Sequence, residues 1–315
     1  PQKALNIAIR GKYGNDDITY DLFPGTQIPV HTGFTLRDGG DNWDKDMLRD
    51  ALYPKLAKGF LKVDTADYRP SVVFINGAYY GLHDIRQRWD ETWFAQQYHV
   101  PADKIDHLLY GHITSAATTL GVDKGTSTDW LALIAFIATA DLTVAANWDY
   151  VESKIDIDSY MDFVIAESYG NNTSWHHNRE FWKEKSPGAK WRWFLTDMDR
   201  TFFTSTLTGI LADMLTTSDE LLIRFKTNAA FKQRLAQRYA AHVAGTFKPS
   251  RVSAIVAQMD AEVSALVPRH VTRWAPSGTT VTARNSNIQQ IKDYATQRSA
   301  NFYGEVSTQL GIGAA

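Results

Sequence analysis

The sequence predicts an α+β protein in two parts, β-rich over residues 1–100 and mostly helical over residues 101–315. Three observations carry this. Short runs of alternating apolar and polar residues, broken by Gly-containing turns, fill the first hundred residues. Longer segments with apolar residues at helical spacing fill the rest. The two kinds are segregated along the chain rather than interleaved, which is the pattern of α+β folds and not of a doubly wound sheet.

In order, "KALNIAIR" from Lys3 alternates as a half-buried strand does. "HTGFTLRDGGDNWD" from His31 reads as a strand ending in an Asp-Gly-Gly turn. "KDMLRDALYPKLAKGF" places Met47, Leu48, Ala51 and Leu52 on one helical face. Ser71–Ile75 and Tyr79–Ile85 flank Asn76-Gly77, a strong signal for a two-residue hairpin turn. "DETWFAQQYHV" reads as a helix with Asp90 as N-cap.

Further on, "STDWLALIAFIATA" starts at a capping Ser or Thr. "DIDSYMDFVIAESYG" offers Asp158 as cap, an apolar face at Tyr160, Phe163, Val164 and Tyr169, and Gly170 as stop. A strand over Trp191–Leu195 follows a Pro187-Gly188 turn, with Trp191, Trp193 and Leu195 on one face and Arg192, Phe194 and Thr196 on the other. Three amphipathic segments close the chain: Asp219–Ala244, Pro249–Val267 and Asn287–Leu310.

Composition excludes several classes. The net charge of −2 gives no basic footprint for nucleic acid. With no cysteine there is no disulfide, thiolate zinc site or cysteine nucleophile. The most apolar window, from Trp130, is interrupted by Asp141 and is too short to span a bilayer. The chain opens without Met or an apolar run and reads as a piece of a longer protein.

Chemistry concentrates in "GNNTSWHHNREFWKEKSPGAKWRWFLTDMDRTFF", residues 170–203. Asp197 and Asp199 stand where a strand runs out, and two carboxylates there are hard oxygen donors suited to Mg²⁺ or Mn²⁺. A bare Asp-x-Asp is also a common turn or helix cap. Asn178 can add a carbonyl oxygen, and an Asn followed after a hairpin by an Asp is how protein kinases hold Mg²⁺. His176 and His177 are neighbours that would point apart on a strand, unlike the i, i+4 pair of a helical zinc site, so they read as surface or hydrogen-bonding histidines.

Four stretches together resemble the CotH kinase family. "QKALNIAIRGKYG", "FTLRDGGDNWDKDMLRDAL", "RPSVVFINGAYYGLHDIRQRWD" and "NNTSWHHNREFWK…KWRWFLTDMDRTFF" are similar, in order, to that family's motifs, and cover roughly residues 1–205. The resemblance implies a protein-kinase-like two-lobe architecture holding ATP and Mg²⁺ (or Mn²⁺) between the lobes. It implies phosphorylation of a protein acceptor and an extracellular, cell-surface or spore-associated setting. On this template Lys3 matches the strand lysine that contacts phosphates, Asn178 and Asp197 match the metal ligands, and Asp199 is a second carboxylate. Arg37 and Arg49 fall within the second motif. They are expected chiefly in structural pairs with Asp38 or Asp50, with phosphate as the alternative.

Two departures stand out. Gln87 replaces a Glu that would pair with the phosphate-binding lysine. The family's loop Asp, the candidate base, falls on Thr173 or, with a one-residue deletion, on Ser174. Neither hydroxyl is a general base at neutral pH, and His176 or His177 is the candidate replacement. Three other readings remain. They are a nucleotide-binding module with impaired turnover, a metal-dependent glycosyltransferase using "TDMD", and a carbohydrate or adhesion module using exposed aromatics. The strand-rich first hundred residues argue against the glycosyltransferase.

Overall fold

The computed structural model describes residues 1–26, 28–114, 117–204 and 207–312. In chain order the first part runs β1 (Leu5–Ala8), β2 (Ile18–Thr19), β3 (Val30–His31), β4 (Gly33–Arg37), α1 (Arg49–Ala57), β5 (Asp64–Thr65), β6 (Tyr68–Ile75), β7 (Ala78–Arg86) and α2 (Glu91–Tyr98). Strands β1, β4, β7 and β6 form an antiparallel sheet in that spatial order, with Leu5 opposite Leu36 and Thr35 opposite Arg86. Asn76 (φ 50°) and Gly77 (φ 79°) make the β6–β7 turn, both left-handed as a tight hairpin with two-residue loop requires. Asp90 caps α2, its carboxylate accepting from Trp93 N at 3.0 Å.

The second part runs β8 (Ile105–Thr114), β9 (Ala117–Lys124), α3 (Thr128–Thr139), α4 (Ala145–Lys154), α5 (Ile157–Gly170), β10 (Arg179–Glu184) and β11 (Arg192–Leu195). It continues with α6 (Ile210–Asp213), α7 (Glu220–Phe225), α8 (Ala229–Ala244), α9 (Pro249–Val263), α10 (Val267–Arg273) and α11 (Val281–Leu310). The architecture is α+β, sheet-rich at first and helical afterwards, as the segregated pattern predicts. The helical reading passed over the β8–β9 hairpin. It joins β10, β11 and the parallel strand β5 in a second sheet of order β5–β11–β10–β8–β9.

The alternation in β11 is realised, with both faces buried. Trp191, Trp193 and Leu195 enter the main core, while Phe194 enters a smaller cluster with Trp93, Phe94, Ile105 and Trp182. Full burial of a large side chain contributes about 1.5–3 kcal/mol, so β11 is anchored from two sides. Helix α5 lies at the centre of the main core, and every residue of it except Asp158 is buried.

Several local expectations are corrected. Asp156, not Asp158, caps α5, because its carboxylate reaches Ser159 N at 3.2 Å. Ser127 sits at the N-cap of α3 without a side-chain cap bond. The segment Asp219–Ala244 is two helices: Asp219 caps α7, and Asn228 caps α8 by accepting from Phe231 N. The last helix starts at Val281, ahead of Asn287, with Thr280 as its cap.

Helix α10 returns to the first sheet. His270 Nδ1 accepts from Leu82 N at 3.0 Å, and Trp274 Nε1 donates to Tyr80 O at 3.0 Å. No described helix is long and apolar enough to cross a membrane.

Candidate functional site

The site begins where α5 ends. Asn171 takes a left-handed conformation (φ 49°), a common helix stop, and its N–H closes the last turn. The chain then turns on Asn172, whose Oδ1 accepts from Ser174 N at 3.1 Å and from Ser174 Oγ at 2.9 Å. This Asx-type turn leads into a 3₁₀ turn over Trp175–His177, with Trp175 buried as its anchor. Asn178 follows, directly before β10.

The β10–β11 hairpin pairs Phe181 with Trp193 and so carries Asn178 to the end of β11. There Asn178 Nδ2 lies 3.0 Å from Asp197 Oδ2 and 3.4 Å from Ser174 Oγ. Asp197 is left-handed (φ 52°), a conformation Asp tolerates better than most residues, and it ends the strand sharply. Its Oδ1 is paired with the Arg37 guanidinium.

Residues of the Asp38-Gly39-Gly40-Asp41-Asn42 loop clasp the same segment from the first part. Asp41 N donates to Asp199 Oδ2 at 2.6 Å, and Asn42 Nδ2 donates to the Asp199 carbonyl at 2.6 Å. Asp41 also accepts from Arg200 Nε at 2.8 Å. Burial and then the Asp197 charge push the Asp199 carboxyl up to about 7, although the Asp41 amide favours the ionised form.

The sequence-derived candidates thus divide. Asn178, Asp197, Asp199 and Ser174 come together. Ser174 is buried and engaged with Asn172 and Asn178. His176 and His177 do not lie on a strand pointing apart. They share the 3₁₀ turn, with ring centroids 4.6 Å apart and His177 Nδ1 3.3 Å from His176 Nε2. Lys3 precedes β1 and is exposed, its backbone N–H donating to Tyr80 Oη at 3.0 Å. Gln87 is buried after β7, where its N–H donates to Asp67 O at 2.9 Å and its Oε1 accepts from Asp67 N at 3.4 Å. Among the described residues no hydrogen bond or ion pair joins Lys3 to Gln87, or either to Asp197. Arg37 does pair with Asp50, at 2.9 Å, as expected of a structural role. Arg49 instead pairs with Asp46, at 3.2 Å, and lies over the Phe203 ring.

Two features escaped the sequence reading. One is the contact of Arg37 with Asp197, 160 positions away. The other is Glu167 on α5, fully buried and in no ion pair among the described residues. Burial pushes its carboxyl up to about 8; the nearby Asn172 side chain opposes this and Asp197 adds to it. Placing Glu167 in the "AESYG" run on a helix buried all round, rather than on one face, was the available signal.

The donor set fits a hard divalent ion. Among the described residues no three His, Asp or Glu side chains group closely enough to hold a metal alone. Mg²⁺ does not require such a cage, since it typically takes one or two carboxylates plus water and substrate phosphates. Asn178 and Asp197 would be the residues to hold it: their side-chain atoms lie 3.0 Å apart, and amide rotation would present Asn178 Oδ1 in place of Nδ2.

A family described as CotH kinase protein matches residues 1–302, nearly the whole chain. The chain belongs to the CotH kinase family. The match extends through most of α11, so the helical region belongs to the CotH unit as much as the four N-terminal motifs do. No curated protein matches the chain.

Proposed function

We propose that this CotH protein is an ATP- and divalent-metal-dependent phosphotransferase with a protein acceptor. One observation carries the reading: a loop Asn, a strand-end Asp and a strand Arg, from three distant parts of the chain, meet at one point. Phosphoryl transfer needs little covalent chemistry from the protein; positioning and charge neutralisation supply most of the rate.

In this reading Asn178 and Asp197 hold Mg²⁺ or Mn²⁺, and Asp199 orients the Asp38–Asn42 loop over it. A divalent ion there supplies neutralisation of triphosphate oxygens. Lys3 and Gln87 remain candidates by resemblance for the nucleotide side. Proton removal from the acceptor falls to His176 or His177, because the Ser174 hydroxyl is not a general base at neutral pH. General-base help is worth roughly 10²–10⁴-fold, so a weak base slows transfer without abolishing it. The family name carries an extracellular, cell-surface or spore-associated setting into the same reading.

The second reading is a nucleotide-binding module with little turnover, favoured by the hydroxyl of Ser174 at the expected carboxylate position. Incubation with γ-labelled ATP, Mg²⁺ and a generic protein acceptor separates the two. The phosphotransferase reading expects labelling that Asp197→Ala removes. Equal labelling by Asp197→Ala sinks it, and ATP binding without any labelling supports the module.

A further inference from the structure

Arg37 is the cation most firmly built into the site. Its Nε donates to Asp50 Oδ2 at 2.9 Å, and its Nη2 is paired with Asp197. Asp50 is fully buried in the first turn of α1 and also receives Arg86 Nη2, at 3.3 Å. Burial works against the Asp50 charge, but Arg86, Arg37 and the Met198 amide outweigh it and hold its carboxyl below the usual range. Asp50 thereby ties β4, β7 and the Asp197–Asp199 segment together. Arg37 itself is half-buried, with a side-chain exposure of 29%. Two of its five N–H donors make these bonds. Gly40 stands directly over the guanidinium: a Cβ there would lie 3.1 Å from Nη2.

We propose, resting on the phosphotransferase reading, that Arg37 held by Asp50 is the residue that meets the nucleotide's phosphate groups. A phosphate-binding cation works best when preorganised, and the planar guanidinium fork matches phosphate oxygens in pairs. Protein kinases fix their phosphate-contacting strand cation with a carboxylate from the following helix. Here β4 and α1 are consecutive elements, and Arg37–Asp50 is such a pair. Lys3, exposed ahead of an edge strand, has no comparable anchor among the described residues. The pairing of Arg37 with Asp197 places the guanidinium next to the proposed metal ligand, where a metal-bound triphosphate would present its oxygens.

The test measures binding of ATP and of adenosine, each with Mg²⁺, to the full chain and to Arg37→Ala, Arg37→Lys and Lys3→Ala. Arg37→Ala is expected to weaken ATP binding about 10- to 100-fold and to leave adenosine binding unchanged. Arg37→Lys, which keeps the charge and guards against a misfolded alanine variant, is expected to recover part of the loss. Equal ATP affinity in wild type and Arg37→Ala overturns the assignment while the phosphotransferase reading stands. So does equal loss for ATP and adenosine, which marks a merely structural arginine. Loss of ATP preference in Lys3→Ala alone returns the role to Lys3. Failure of the wild type to bind either ligand removes both the proposal and the reading beneath it.

Discussion

Asn178 Nδ2 and Asp197 Oδ2 lie 3.0 Å apart although nineteen positions separate them. The β10–β11 hairpin closes that gap, and its Trp-bearing strand is fixed by two cores. If the two side chains share one ion, Asn178→Ala removes a neutral ligand and leaves the carboxylate. The Mg²⁺ concentration for half-maximal ATP binding should then rise on the order of 10- to 100-fold, the usual scale for damage to a metal's surroundings. Asn178→Asp keeps an oxygen donor and should rise less. A Mg²⁺ titration followed by nucleotide fluorescence checks this, and an unchanged midpoint in Asn178→Ala counts against the shared ion.

Gly40 has φ 58°, and a Cβ built on it overlaps Asp199 Oδ2. Gly39 has φ 95°, but its nearest neighbour to such a Cβ is 3.7 Å away. Both alanine variants therefore carry backbone strain, about 1–3 kcal/mol each, seen as a lower melting temperature. Only Gly40→Ala should also disturb Asp199 and Arg37. We expect Gly39→Ala to keep Mg²⁺-dependent ATP binding and Gly40→Ala to lose most of it. Equal binding by the two variants would show that the close approach has no role in the site.

Much of this arrangement was legible in the chain, and the remainder has physical causes. Asn76-Gly77, the Asp90 cap and the β11 alternation were readable because short-range backbone preferences decide them. The approach of Asn178 to Asp197 was readable because a hairpin joins them. The β8–β9 hairpin was not, because Ile105–Thr114 lacks strict alternation and is stabilised by pairing with β10, some seventy positions on. Arg37 was expected to pair with Asp38 or Asp50, both nearby in sequence, and Asp50 is one partner, whereas the second, Asp197, arrives from the other end of the site. Glu167 was hidden by an amphipathic reading of a helix that is buried on all sides.

His107 on β8 lies between two carboxylates, with Glu180 Oε1 2.7 Å from Nε2 and Asp123 Oδ2 3.2 Å from Nδ1. Burial works against its charge, yet Asp123 and Glu180 outweigh it and raise the imidazole to about 9 from 6.5. The folded state thus holds a proton that the unfolded chain releases near 6.5. The stabilisation is fully present below 6.5 and is lost as pH rises through about 9. Its size is on the order of 3 kcal/mol. His107→Gln should lose stability at pH 6 and converge toward wild type by pH 10, apart from a constant offset for lost packing. Urea unfolding at pH 6, 8 and 10 measures this, and a gap that does not narrow refutes the charged triad.

Helix α5 carries two buried carboxylates treated in opposite ways. Asp162 accepts from Arg238 Nε at 2.9 Å, Arg238 Nη2 at 2.6 Å and Lys62 N at 2.7 Å, with His242 Nε2 at 3.1 Å. Glu167 makes no ion pair among the described residues, and its carboxyl stands at about 8 against an ordinary 4.5, with only the Asn172 side chain opposing the rise. Between those values the native state keeps a proton that the unfolded chain has released. Stability therefore falls as pH rises from 4.5 and levels off above about 8, by about 5 kcal/mol at most. Glu167→Gln cannot ionise, so the variant should gain on wild type steadily from pH 5 to pH 8. Because a divalent ion near Asp197 would shift the balance, the measurement is denaturant unfolding with a chelator present. Parallel stability curves for wild type and Glu167→Gln over that range would mean that Glu167 is solvated or paired when folded. A widening gap would make it a buried acid, neutral at pH 7, behind the loop that carries Asn178.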